Sequence, residues 1–221
     1  ERIRLADRLH LEATAGEELE FLCRSPEVPS DGTNLVVRAA ESFRQRSGWN
    51  QGIRIFLEKE IPAGGGLGGG SSDAAATLQA LQELSGRALS SEELLACARQ
   101  LGADVPFFLS PKPWALGRGR GDEIEPQDLS AALWNVLVTP DFPIPTQAVY
   151  KAFRLTSPEK TPAPLLAALR SGDISTLRDL LYNALEPVVE GLYPAVLQVK
   201  SEMRSAGLKN PMVSGSGSTV F

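Results

Sequence analysis

Residues 62–75 read Pro-Ala-Gly-Gly-Gly-Leu-Gly-Gly-Gly-Ser-Ser-Asp-Ala-Ala, and six of the seven residues from Gly64 to Gly70 are glycine. Before the tract, Ile53, Ile55 and Leu57 alternate as a strand that runs into Pro62; after it, from Ser72 to Leu84, the apolar spacing is helical and Gly86 stands in the C′ position. Glycine loses more conformational freedom on folding than any other residue, so a packed loop keeps it only where positive φ or close backbone approach is required. A phosphate chain requires both. Successive N–H groups can turn inward around its oxygens, the new helix adds unsatisfied donors and the positive end of its dipole, and Ser71 and Ser72 add hydroxyls. A flexible linker is the bland alternative, but linkers rarely end in a cleanly formed amphipathic helix. The Walker pattern needs Lys and Ser/Thr after its last glycine, where Ser71-Ser72-Asp73 stands, and no βαβ continuation supports a dinucleotide fingerprint.

Outward from the loop, residues 1–24 alternate as two strands about Ala15-Gly16, which predicts an antiparallel pair. Leu35, Val36, Ala39, Ala40 and Phe43 predict a helix over Asn34–Gln45. Ser90 with Glu93 forms a capping box for a helix that ends at Gly102. Phe107–Leu109 and Trp134–Val138 read as short buried strands, and Arg118–Asp122 as a tight turn. Beyond Pro140 the pattern is helical over 146–153, 165–169, 174–185 and 195–205. The order gives an α+β protein in two lobes, divided near Ala115.

The chain of 221 residues carries 22 Lys+Arg against 27 Asp+Glu, a net charge of −5, which argues against a nucleic-acid partner. No run of about 18 apolar residues predicts a membrane span, and no export signal is visible. Cys23 and Cys97 lie far apart without CxxC spacing, so neither a disulfide framework nor a zinc site is expected, and a cytoplasmic location is. The start inside the alternation of Ile3, Leu5, Leu9 and Leu11, and the stop at Phe221 in an apolar run, read as cut ends.

Pro62 with Gly66-Leu67-Gly68, followed by small residues opening a helix, resembles the phosphate-binding motif of the GHMP kinases. Asn34-Leu35-Val36, Gly102-Ala103-Asp104-Val105-Pro106-Phe107-Phe108 and Ser214-Gly215-Ser216-Gly217 agree with it, and GGGLGGGSSDAA with GADVPFF narrows it to the branch whose acceptor carries a cytidine diphosphate. The resemblance covers nearly the whole chain. It implies a two-lobed fold, an ATP-binding domain over 1–115 with its first strands missing and a substrate-binding domain over 116–221 cut at its end. It also implies phosphorylation of the 2-hydroxyl of a diphosphocytidyl-methylerythritol with ATP and Mg²⁺, on the non-mevalonate route to isoprenoid precursors. Mevalonate or homoserine as acceptor, or a nucleotide-binding module without catalysis, are the alternatives.

By the same resemblance Asp104 is the catalytic base, where the plain reading is a turn aspartate at a helix end. Gly64, Gly65, Gly66, Leu67, Gly68, Gly69, Gly70, Ser71 and Ser72, with Pro62, hold the triphosphate; Asn34 and Leu35 line the adenine pocket; Lys59 lies near the nucleotide, or is a solvated strand-end residue. Ser214, Gly215, Ser216 and Gly217 form a second glycine loop that helps hold phosphate, or a plain turn. Pro145, Thr146 and Tyr150 belong to the segment that sets an aromatic ring against cytosine, where the family usually has Phe; Tyr150 reads equally as a helix-face core residue. The metal's ligands are not declared. The family's opening Lys and Asn, and its later Tyr-His pair, have no match, and His10 reads as a surface strand residue.

Overall fold

The computed structural model describes residues 1–129, 132–154 and 161–221. It consists of two compact units: Glu1–Ala63 with Gly68–Asp128, and Gly64–Leu67 with Leu129–Phe221.

The first unit is built on three strands, β1 (Arg8–Thr14), β2 (Leu19–Cys23) and β3 (Gly52–Glu58), in the order β1-β3-β2. The expected β1–β2 pairing does not form. β3 lies between them, antiparallel to β1 (Leu11 opposite Ile55) and parallel to β2 (Phe21 opposite Ile55). The reason is burial: Ile53, Ile55 and Leu57 are at most 1% exposed, whereas β1 and β2 turn Arg8, His10, Glu12 and Glu20 to solvent, as edge strands do. The entry to β3 is close-packed against the β1–β2 turn. The Gly52 N–H donates to the Gly16 carbonyl at 2.7 Å, and a Cβ at 52 would stand 2.6 Å from Thr14 Oγ1.

Helices α1 (Leu35–Ser47), α2 (Gly69–Leu84), α3 (Ser91–Leu101) and α4 (Val105–Leu109) supply the rest of this core, with Val36, Ala40, Phe43, Leu78, Leu81, Cys97 and Val105 in one apolar cluster with the β3 side chains. α3 carries its predicted capping box in full. α4 occupies a stretch expected as strand. Pro106 in its first turn fixes φ for a helix start and gives up an N–H that would have no helical partner there. A hairpin of β4 (Trp114–Arg118) and β5 (Glu123–Gln127) follows, closed by the predicted turn through Gly121.

That hairpin moves the domain boundary. A division at 115/116 would cut β4, whose register with β5 runs from Trp114 opposite Gln127 to Arg118 opposite Glu123; the units divide after Asp128 instead.

The second unit contains α5 (Thr146–Ala152), α6 (Ala163–Ser171), α7 (Ile174–Leu180), α8 (Glu186–Leu192) and α9 (Ala195–Ser205). Ile144, Val149, Val189, Val196, Met203, Val213 and Val220 form its core. The helix expected over 174–185 stops at Leu180. Pro187 lies in the first turn of α8, and Asn183 between the two helices is committed to other backbone groups. The strand expected over Trp134–Val138 reduces to one bridge, Val138 to Val220.

Candidate active site

In the first unit, α2 begins at Gly69 rather than Ser72, with Gly68 as a left-handed N-cap (φ 72°). Glycine is favoured at 68 by that φ, and a Cβ there would come within 3.2 Å of the Phe108 ring, a tight contact. The contact seats α4 against the start of α2. Asp104 occupies the N-cap position of α4 but caps nothing, and its exposed carboxylate makes no hydrogen bond or ion pair with the described residues. The role of a turn-fixing aspartate is therefore not what this side chain performs. The N–H groups of Gly69, Gly70 and Ser71 likewise meet no acceptor among the described residues, as the first turn of a helix requires of its donors.

Asn34 is the N-cap of α1. Its Oδ1 accepts the Val36 N–H at 2.8 Å and its Nδ2 donates to the Pro29 carbonyl at 2.7 Å, so the buried amide has a structural task. Leu35, next in sequence, faces the glycine tract: its Cδ1 lies 3.5 Å from where a Gly70 Cβ would be.

Lys59 is not a solvated strand-end residue. Its ammonium is buried between two carboxylates, bonding Asp7 Oδ2 and, at 3.0 Å, Asp73 Oδ2. It also lies 3.2 Å from a Cβ placed on Gly69, so the group sits directly beside the first residue of α2. Asp7 Oδ1 accepts the N–H groups of Glu60 and Ile61 at 2.6 and 2.8 Å, which fixes the chain entering the glycine tract. The sequence reading missed both aspartates. A usable signal existed for one: Asp73 shares the buried α2 stripe with Thr77 and Leu81 at four-residue spacing, a charge where an apolar residue belongs.

The two carboxylates divide one ammonium unequally. Burial would raise Asp7, but Lys59 and the N–H groups of Ile61 and Glu60 outweigh it and hold Asp7 below its usual range. Asp73 has only Lys59 to lower it, and burial, aided by the neighbouring Asp7 carboxylate, prevails and pushes it up to about 6. A carboxyl that binds its proton more tightly folded than unfolded makes a contribution to stability that is full below the unfolded pKa and is lost as pH rises through the folded one. Asp73→Asn, which mimics the neutral form, should therefore match the parent near pH 4 and become more stable than it above pH 6. The expected gain is on the order of 2 kcal/mol, read as the difference in Tm across that interval. A difference independent of pH would refute the assignment.

In the second unit, Gly64–Leu67 packs with the second glycine loop. Ser214 Oγ donates to the Gly66 carbonyl at 2.9 Å, and the Thr219 N–H donates to the Gly65 carbonyl at 3.1 Å. Gly66 (φ 74°) has no room for a side chain, since a Cβ would stand 2.3 Å from the Ser214 carbonyl oxygen and 2.8 Å from that of Gly217. The Ser214–Gly217 stretch is thus more than a plain turn. It meets the segment expected to face the acceptor too: Ser216 Oγ and Thr146 Oγ1 are 2.8 Å apart, and Pro145 stands at the N-cap position of α5. Tyr150 lies one turn further along α5 at 60% exposure, with its ring in solvent rather than in the core. His10 is exposed on β1, beside Phe56.

The description "GHMP kinases N terminal domain" matches residues 34–112, and "GHMP kinases C terminal" matches residues 165–221. A 4-diphosphocytidyl-2-C-methyl-D-erythritol kinase of Desulfotalea psychrophila is 40% identical over the whole of this chain and 74% of its own length. A solved structure of 4-(cytidine 5′-diphospho)-2C-methyl-D-erythritol kinase aligns with a TM-score of 0.77 at 38% identity, over 98% of this chain and 76% of that one. The homoserine kinase of Cytophaga hutchinsonii, at 22% identity and a TM-score of 0.75 over 97% of this chain and 75% of its own, shares the fold.

Proposed function

Because the chain belongs to the GHMP kinases, and within them to the 4-diphosphocytidyl-2-C-methyl-D-erythritol kinases, we propose that it moves the γ-phosphoryl group of ATP to the 2-hydroxyl of that compound. The observation that carries the site assignment is the contrast in how its polar groups are used. The buried Lys59 and Asn34 side chains are bonded within the protein, whereas the N–H groups opening α2 and the exposed Asp104 carboxylate meet no partner among the described residues. Donors without acceptors suit phosphate oxygens, and a free carboxylate suits a hydroxyl proton.

Phosphoryl transfer asks little covalent work of the protein beyond holding the phosphates and orienting the attacking oxygen. On this reading the Gly64–Ser72 segment cradles the triphosphate, and Asn34 and Leu35 border the adenine through backbone and side-chain surface. Lys59 acts from beneath the loop, through Asp73 and Gly69. Asp104 accepts the acceptor's proton, and Tyr150, whose ring is exposed, stacks on the cytosine. Mg²⁺ would offset the triphosphate's charge when bound, held mainly through phosphate oxygens and water. Among the described residues, no group of three or more His, Cys, Asp or Glu stands together that could hold a metal ion. No helix of the described residues is long and apolar enough to cross a membrane. With Cys23 and Cys97 both free thiols, we place the enzyme in the cytoplasm.

Labelled ATP offered with the cytidyl substrate, mevalonate or homoserine should give product with the first alone, and CMP should compete with that acceptor. Product from another alcohol would overturn the acceptor and leave the kinase. ATP binding without transfer to any of them would leave only a nucleotide-binding module.

A further inference from the structure

The second glycine loop is held from behind by residues that no motif reading singled out. Asn183, in the bend between α7 and α8, donates from Nδ2 to the Val213 carbonyl and to the Gly215 carbonyl, both at 2.8 Å, while its Oδ1 accepts the Leu185 N–H at 3.0 Å. Nδ2 and Oδ1 are thus both engaged, which fixes the orientation of the amide. At the first turn of α8, Glu186 Oε1 accepts the Val213 N–H at 2.9 Å. The same oxygen takes Lys200 Nζ at 2.8 Å, and Lys200, 5% exposed on α9, also bonds Glu190 at 2.6 Å.

The loop is therefore gripped on one side by Asn183 and Glu186 and on the other meets Gly65 and Gly66 through Thr219 and Ser214. Within it, Gly215 has a φ of 56° and Gly217 one of 81°. The N–H groups of Gly215, Ser216 and Ser218 reach no acceptor among the described residues. A trans peptide sets its N–H opposite its carbonyl. Drawing the Gly215 carbonyl onto Asn183 consequently turns the Ser216 N–H the other way, away from Asn183.

We propose that Asn183 and Glu186 are positioning residues that aim the N–H donors of the second glycine loop at a phosphoryl group of the nucleotide, with Lys200 holding Glu186 in place. This rests on the kinase reading above. Neither residue touches substrate; each acts through the loop backbone.

Asn183→Asp preserves size and the acceptor toward Leu185, but sets a carboxylate oxygen against two carbonyls. It should lower kcat/KM for ATP about 10- to 100-fold while the acceptor's KM stays within about threefold. Glu186→Ala should lose about tenfold or more, and Glu186→Gln, which keeps an oxygen for the Val213 N–H, should stay within about threefold of the parent. A merely structural role would instead move both substrates and Tm together. Should Asn183→Asp not fold, Asn183→Ser is held to the same criteria. Calorimetry with ATP and ADP separates the two levels of failure. A parent that binds neither overturns the kinase reading, whereas a parent that binds both, with folded variants unchanged in kcat/KM or impaired equally toward both substrates, overturns the positioning alone.

Discussion

Asp104→Asn is expected to reduce kcat by about 10²- to 10⁴-fold while leaving ATP affinity within a few-fold of the parent. The wide loss follows from removing the carboxylate proposed to accept the proton. The cleanness of the test follows from the structure. Asp104 heads α4 without a capping bond, is exposed, and makes no ion pair with the described residues, so asparagine removes its charge and disturbs no contact. Exposed substitutions of that kind move stability by about 0.5 kcal/mol or less, so Tm should hardly shift. Steady-state rates with the cytidyl acceptor, set beside ATP titration of the same sample, decide it. A kcat within about threefold of the parent would remove Asp104 from the chemistry.

The second large effect belongs to Gly66. Alanine there must adopt a φ of 74° and place its Cβ 2.3 Å from one backbone oxygen and 2.8 Å from another, neither at the end of a flexible side chain. The left-handed conformation alone costs about 1–2 kcal/mol in a residue with a Cβ. The overlap adds to it by driving the Ser214–Gly217 loop off its seat. Gly64 supplies the control, since it has nearly the same φ of 70° with nothing within 4 Å. Gly64→Ala should therefore weaken kcat/KM for ATP by about tenfold at most, and Gly66→Ala by about 100-fold or more. Equal losses at the two positions would mean that the docking of the two loops is immaterial to nucleotide use.

The parts of this protein legible from one sequence are those whose causes are local. The helix over Asn34–Gln45, the Ser90–Glu93 box, the turn through Gly121 and a glycine tract between strand and helix each depend on residues within a few positions of one another. The family was legible for the same reason, since its motifs are short contiguous strings. Strand pairing was not. Alternation over residues 1–24 identifies two strands, but their partner is chosen by burial, and the most apolar strand of the sheet comes some thirty residues later in the chain, at Gly52–Glu58.

The site divides along the same line. The sequence by itself singled out the residues to which the proposal assigns the chemistry: a run of glycines that only close backbone approach explains, an aspartate opening a proline-started turn of helix, and a second glycine loop near the C-terminus. Tertiary structure alone decided what holds them. Lys59 is positioned by carboxylates 52 residues before it and 14 after it, and the second loop by Asn183 and Glu186, 32 and 27 residues from their partners Gly215 and Val213. Such supports are single side chains reaching backbone or buried charge across the fold. They leave no periodicity, and their only local trace is a charge on an apolar stripe, as at Asp73 and Lys200. Once the chain is folded, that charge must find a partner, because leaving it buried and unpaired would cost several kcal/mol.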